Sequence, residues 1–155
     1  MDDAAKKVLD RLERQCSRCE YSRADVMTKA LKALEFNREA AQEVVDSLVE
    51  SGYVDDLRYA TAFAREKSSL TGWGPIRIRM ALSAKGIQRD IQDSALAEID
   101  SSRADARLEK LMESKWRTLK GDPEAKLKLL KYALGRGYGY DDVAAAAERV
   151  MSSEE

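Results

Sequence analysis

A spacing of 51 residues constrains this chain more than any other feature of its sequence. Met27, Leu31 and Phe36 recur as Ile78, Leu82 and Ile87 after one shift, and Phe36 and Ile87 become Tyr138 after a second. Gly86 and Gly137 correspond under the same shift, while Glu35 breaks the pattern in the first unit. Self-similarity at such a period marks tandem structural repeats, each too small to bury its own apolar face alone. The units must therefore lean on one another in a row.

Each unit reads as three helices. Val8, Leu9, Leu12, Cys16 and Cys19 follow helical spacing over 3–20. Ser22 with Asp25 three residues on predicts a capped start for a helix over 23–35, with Met27, Ala30, Leu31 and Leu34 on one face. Asn37 caps a helix over 38–51 that Gly52 closes, and Asp55 caps one over 56–70. Pro75 opens a fifth helix that ends at Gly86, and a sixth covers about 90–99. A seventh spans 103–119, an eighth runs from Asp122-Pro123 to Gly137, and a ninth begins at Asp141. The expected fold is all-α: nine helices in three tandem three-helix repeats over 1–51, 52–101 and 102–155. With only 8 Gly and 2 Pro in 155 residues, there are too few turn formers for a hairpin-rich protein.

On the fifth helix, Ile78, Ala81 and Leu82 form one apolar stripe and Ile76 and Met80 a second, roughly opposite. The second stripe is expected to meet a neighbouring unit or a partner.

Composition removes several functional classes. The chain has no histidine, so the commonest general base, the usual nucleophile pairs and the usual metal ligand are all missing. Cys16-Ser-Arg-Cys19 is a CxxC without the two further ligands zinc needs, so both cysteines are expected to extend an apolar stripe. Gly72-Trp73-Gly74-Pro75 lacks the residues that hold nucleotide phosphates and reads as a turn. Asp55-Asp56 and Asp141-Asp142 sit at helix starts, where they complement the helix dipole. No catalytic residue, metal site or cofactor is expected. No run is long enough to cross a membrane, and the start Met1-Asp2-Asp3 lacks the character of a secretion signal, which predicts a cytoplasmic protein.

The net charge is −1, but it is distributed in blocks. Residues 65–89 and 103–136 are basic, and each is followed by an acidic stretch. The candidate binding residues are therefore Arg65, Lys67, Trp73, Arg77, Arg79, Lys85 and Arg89 around the fifth helix, with Lys126, Lys128, Lys131 and Arg136 on its counterpart in the third unit. Arg77 and Lys85 can share a face of the fifth helix, whereas Arg79 points nearly opposite to Arg77. A tandem helix-turn-helix reader of DNA is disfavoured, because the last helix of every unit is net acidic and the phosphate backbone repels it. If nucleic acid binds, the middle helices must face the phosphates, positioning without reading bases.

The stretch Gly52-Tyr53-Val54-Asp55-Asp56-Leu57-Arg58-Tyr59-Ala60, with Phe63-Ala64-Arg65, Trp73-Gly74-Pro75-Ile76-Arg77-Ile78-Arg79-Met80-Ala81-Leu82 and Lys85-Gly86-Ile87, resembles the signature of the RecX family. Ser22-Arg23-Ala24-Asp25 resembles that family's first-unit motif, and the match extends over about residues 8–150. The resemblance implies a bacterial regulator of the RecA recombinase, built as an elongated, curved array of three repeats. It implies binding to RecA and to the RecA filament on single-stranded DNA, with damping of ATPase and strand exchange and so of recombinational repair. Glu35 stands where the family has glycine, and the first unit is the most acidic. A non-enzymatic, monomeric protein without membrane partners is expected. A sequence-independent single-strand binder using the basic middle helices is the alternative, and it makes DNA a second candidate partner.

Overall fold

The computed structural model describes residues 1–153, so the last two positions of the third repeat lie outside the described residues. Among the described residues there are nine α-helices and no strand: α1 (Asp3–Arg18), α2 (Arg23–Ala33), α3 (Arg38–Glu50), α4 (Asp56–Glu66), α5 (Pro75–Ala84), α6 (Arg89–Ala97), α7 (Ser101–Thr118), α8 (Ala125–Gly135) and α9 (Tyr140–Ser152). A π-helical turn over Lys67–Thr71 follows α4 and ends at Gly72, whose φ is +74°.

Local chemistry explains most boundaries. The Ser22 hydroxyl accepts from the Asp25 amide at 3.1 Å, and the Asp25 carboxylate accepts from the Ser22 amide at 3.1 Å, so the capping box of α2 is complete. Asn37 accepts from Ala40 N–H at 3.2 Å, and Asp55 accepts from Arg58 N–H at 3.0 Å.

The 51-residue spacing is written into the backbone. The Phe36 amide donates to Leu31 O at 2.7 Å, Ile87 to Leu82 O at 3.1 Å and Tyr138 to Ala133 O at 3.5 Å. This is one helix-ending hydrogen bond three times over, and Glu35 (φ +54°), Gly86 (+72°) and Gly137 (+96°) each supply the left-handed residue it requires. Glu35 thus adopts the conformation of the glycines it replaces.

The chain forms two compact units, Met1–Ala62 with Leu82–Gln92, and Phe63–Ala81 with the residues from Asp93 on. Residues 52–101 contribute to both. The first core joins Ala5, Val8 and Leu12 of α1 to Val26 and Ala30 of α2 and to Ala41, Val44, Val45 and Leu48 of α3. The second joins Leu108 and Met112 of α7 to Leu129 and Ala133 of α8, Tyr138, and Val143, Ala146, Ala147 and Val150 of α9.

Several expectations need correction. α1 stops at Arg18, and Cys19 takes an extended conformation, so Cys16 packs on the core while Cys19 is exposed. The cysteines do not form one stripe, because the helical spacing that would align them ends between them. α8 starts at Ala125, since Asp122 and Pro123 form a tight turn in which the Asp122 carboxylate accepts from Glu124 N–H at 2.8 Å. α9 starts at Tyr140 behind Gly139, which places Asp141 and Asp142 inside the first turn rather than at the cap. In α2 the expected face does pack inward, with Ala30 fully buried and Met27, Leu31 and Leu34 partly buried against the first core, but Val26, not among the expected residues, is fully buried as well.

Candidate protein and nucleic-acid interface

In the second unit, the π-helical turn and the loop before α5 gather two of the candidate residues round the indole of a third. Lys67 Nζ lies 4.9 Å and Arg77 Cζ 4.4 Å from the Trp73 ring centre, and Phe63 meets the ring edge-on at 6.2 Å. The Trp73 amide donates to Lys67 O at 2.9 Å, so the turn itself sets the approach. Both cations are held by the ring quadrupole. The half-buried Trp73 is thereby engaged within its own unit.

The start of α5 is tied to the end of α8. Gly74 N–H donates to Arg136 O at 2.8 Å and Ile76 N–H to Gly137 O at 2.9 Å. Arg136 donates to Thr71 O at 3.3 Å and to the Tyr132 hydroxyl at 3.2 Å, and the Tyr138 hydroxyl donates to Gly72 O at 3.2 Å. Arg77 reaches Gly135 O at 3.5 Å. Arg136 therefore fastens the repeats together.

Lys85 plays the matching part in the first unit. Its ammonium sits 2.6 Å from Asp25, whose carboxylate also closes the α2 cap. Burial pushes the Asp25 carboxyl upward, but the hydrogen bonds from Lys85 and Ser22 outweigh it and hold the group below the usual range. The Lys85 ammonium is raised by its bond to Asp25. Lys85 and Arg136 are 51 residues apart, and each reaches back to the start of the preceding middle helix or the loop before it.

Three further candidates carry acids of their own: Arg65 with Glu98 (3.5 Å), Arg79 with Asp93 (2.7 Å) and Lys128 with Asp122 (2.6 Å). Arg89, Lys126 and Lys131 are exposed and have no ion-pair or hydrogen-bond partner among the described residues. The second apolar stripe of α5 is uncovered: Ile76 is 49% and Met80 69% exposed. Sequence reading missed Arg107, which donates to the buried Ser68 hydroxyl at 2.9 Å. It also missed Tyr132, flanked by Lys115 and Arg136 at 5.0 and 5.3 Å. Arg107 with Ser68 and Lys115 with Tyr132 have no periodic signal, since they depend on how distant segments meet, whereas Arg136 and Tyr132 stand only four residues apart.

No helix among the described residues is long and apolar enough to cross a membrane. Fold and site together define an all-α helical-repeat protein whose middle helices carry both engaged cations and cations without a partner among the described residues. The family model for the RecX second three-helix domain matches residues 55–96. The regulatory protein RecX of Chlorobium phaeobacteroides is 29% identical over 155 residues, covering 98% of this chain and 99% of that protein. The RecX regulatory protein of Clostridium botulinum is 28% identical over 123 residues, but the match spans only 57% of its length. The crystal structure of RecX from Lactobacillus salivarius superposes with a TM-score of 0.84 at 21% identity, covering 97% of this chain and 98% of that one. The chain is thus similar to RecX regulatory proteins along nearly its whole length and matches their second three-helix domain over residues 55–96.

Proposed function

We propose that this protein binds RecA and the RecA filament on single-stranded DNA and lowers RecA ATPase and strand exchange, without chemistry of its own. The observation that carries the reading is the match along nearly the whole of the chain to a protein named as a RecX regulator. The organisation we propose is three repeats, 1–51, 52–101 and 102–155, working in the cytoplasm. Repeats can each add a weak contact to a polymeric target, and linked contacts reinforce one another through effective concentration. Binding that favours one filament state over another changes turnover at RecA's own site.

Of the candidate residues, Arg89, Lys126 and Lys131 are the ones we assign to acidic filament surface or phosphate, because their charges have no partner among the described residues. Arg65, Arg79 and Lys128 can contribute after exchanging an exposed acid, at small cost. We assign Lys67, Trp73, Arg77, Lys85 and Arg136 chiefly to holding the repeats in place. A pull-down against RecA with and without single-stranded DNA tests the reading. Capture of RecA, stronger with DNA, is expected. Capture of the strand alone with no affinity for RecA would favour the single-strand binder instead.

A further inference from the structure

Residues 1–51 hold nine cations and eleven acids, yet these charges are sorted by helix. α1 and α2 are each net basic, with five cations to three acids and three to one, whereas α3 has one cation to four acids. On α1, Lys7, Arg11, Arg14 and Arg18 follow a 4-3-4 spacing, which keeps them within about 60° of one another around the axis. Glu39, Glu43, Asp46 and Glu50 follow the same spacing on α3 with the opposite sign. All eight are exposed. One helix of this unit thus presents a basic row and another an acidic row.

The two rows do not neutralise each other. Lys7, Arg11, Arg14 and Arg18 have no ion-pair or hydrogen-bond partner among the described residues, while Glu43 meets the amino terminus at 3.7 Å and Asp46 the Gln42 amide at 2.8 Å. Like charges three and four residues apart destabilise a helix, and α1 carries three such pairs end to end. An anion lying along the row removes that repulsion. Beside the row, α1 and α2 form a groove of about 340 Å³, with Arg11, Lys29 and Lys32 in its walls, buried Val8 and Leu12 at its floor, and no acid among its described lining residues. Asp3 and Asp10, the acids closest to the row in angle, stand on the side away from the groove.

We infer that this row and groove hold the phosphate backbone of a single DNA strand. The inference deepens the filament reading above, on which the choice of DNA rests, by giving the strand itself a place on α1 and α2. A folded protein surface intersperses both signs of charge, whereas a nucleic-acid strand repeats one negative charge at every unit. Four cations spread over about 16 Å of helix suit the second kind of partner. An apolar floor beneath the cations suits an unpaired strand, whose sugars and bases are open to contact, better than a duplex that keeps its bases stacked inside. Contacts of this type position the backbone without reading sequence. The same phosphates repel the acidic row of α3, and that repulsion fixes which face of the unit turns to the strand.

The test is fluorescence anisotropy of a labelled thymidine oligonucleotide with the full-length chain, without RecA, over a range of salt. Binding by the parent that weakens steeply with salt is expected. The triple variant Arg11→Glu, Arg14→Glu, Lys32→Glu is expected to lose about tenfold or more in affinity, with a logarithmic salt dependence shallower by about 2, or about 0.7 for each of three phosphates. A charge-matched control, Lys110→Glu, Arg117→Glu, Lys120→Glu, is expected to lose less than about threefold. All six positions are exposed. Replacing Arg11, Arg14 and Lys32 by glutamine guards against a folding defect, because it relieves the repulsion along α1; a smaller loss of affinity with an unlowered urea midpoint is expected. Equal losses in the two glutamate variants would reduce the effect to net charge and overturn the inference. No binding by the parent at low salt, tighter binding of a duplex of the same length, or equally tight binding of poly-glutamate would overturn it as well. RecA is absent throughout, so failure here leaves capture of RecA untouched, and failure of that capture leaves this result standing.

Discussion

The backbones of Gly74 and Gly137 pass each other with no room for a side chain on either: a Cβ built on Gly74 would stand 2.5 Å from the carbonyl carbon and oxygen of Gly137. A Cβ on Gly137 would in turn overlap that of Arg77. The crossing lets Gly74 and Ile76 donate to the last carbonyls after α8, which joins the loop before α5 to the third repeat by two main-chain hydrogen bonds of 2.8 and 2.9 Å. Glycine is required here for proximity as well as for conformation.

Gly74→Ala and Gly137→Ala should each destabilise the fold by about 1–3 kcal/mol or more, because the obstructing atoms are backbone and cannot swing aside. Gly86→Ala is the control. Its φ is +72°, but its nearest neighbour would be 4.0 Å away, so only the left-handed penalty of about 1–2 kcal/mol applies. Urea denaturation of the three variants separates crowding from conformation.

Glu35→Gly should raise stability by about 0.5–1 kcal/mol, since glycine takes a φ of +54° without the steric cost but loses more entropy on folding. The midpoint of urea unfolding is the readout. An unchanged or lowered midpoint would mean that the Glu35 side chain compensates for its backbone.

Ser22→Ala removes a fully buried hydroxyl that caps α2 and should cost about 1 kcal/mol. Lys85→Met should cost less, because nearly half of that side chain is exposed and solvent screens its pair with Asp25. The pH dependence of the pair has two edges. Asp25 is held below its ordinary value, so its contribution is full above the usual aspartate range and fades as pH falls through the lowered folded value. Lys85 is raised, so its contribution is full below the usual lysine range and fades as pH rises through the raised folded value. Stability of the parent minus that of Lys85→Met, measured across pH, should be flat in between and shrink at both ends.

Much of the fold was legible in the sequence because its signals are local. Ser22 with Asp25, Asn37, Pro75, Gly52 and Gly86 each act within one turn of chain, and the structure places helix ends beside all of them. Local reading failed where a turn could be entered in two ways, as at Asp122-Pro123, or where the helix ended inside the pattern, as between Cys16 and Cys19. The interface was legible only as a set of residue types. Which cations are free depends on what packs opposite, and the pairs Lys85 with Asp25 and Arg136 with Thr71 span 60 and 65 positions. Periodicity gives no hint of partners so far apart.

Replacing Arg89, Lys126 and Lys131 together by glutamate should weaken action on RecA while leaving the urea midpoint within about 0.5 kcal/mol of the parent, because all three are exposed and free of partners among the described residues. If phosphate is among their targets, the logarithmic salt dependence of binding to the RecA–DNA filament should become shallower by about 0.7 for each phosphate that is no longer neutralised. An equally weakened action from Lys67→Ala, which we assign to the Trp73 cluster, would argue that the assignment of free and engaged cations is wrong.

The most direct measurement is the rate of ATP hydrolysis by RecA on single-stranded DNA as this protein is titrated to saturation. A progressive fall to a lower plateau, diminished in the Arg89, Lys126 and Lys131 triple variant, is the expected result. A rate unmoved at saturation, with the protein folded and RecA active, would contradict the account.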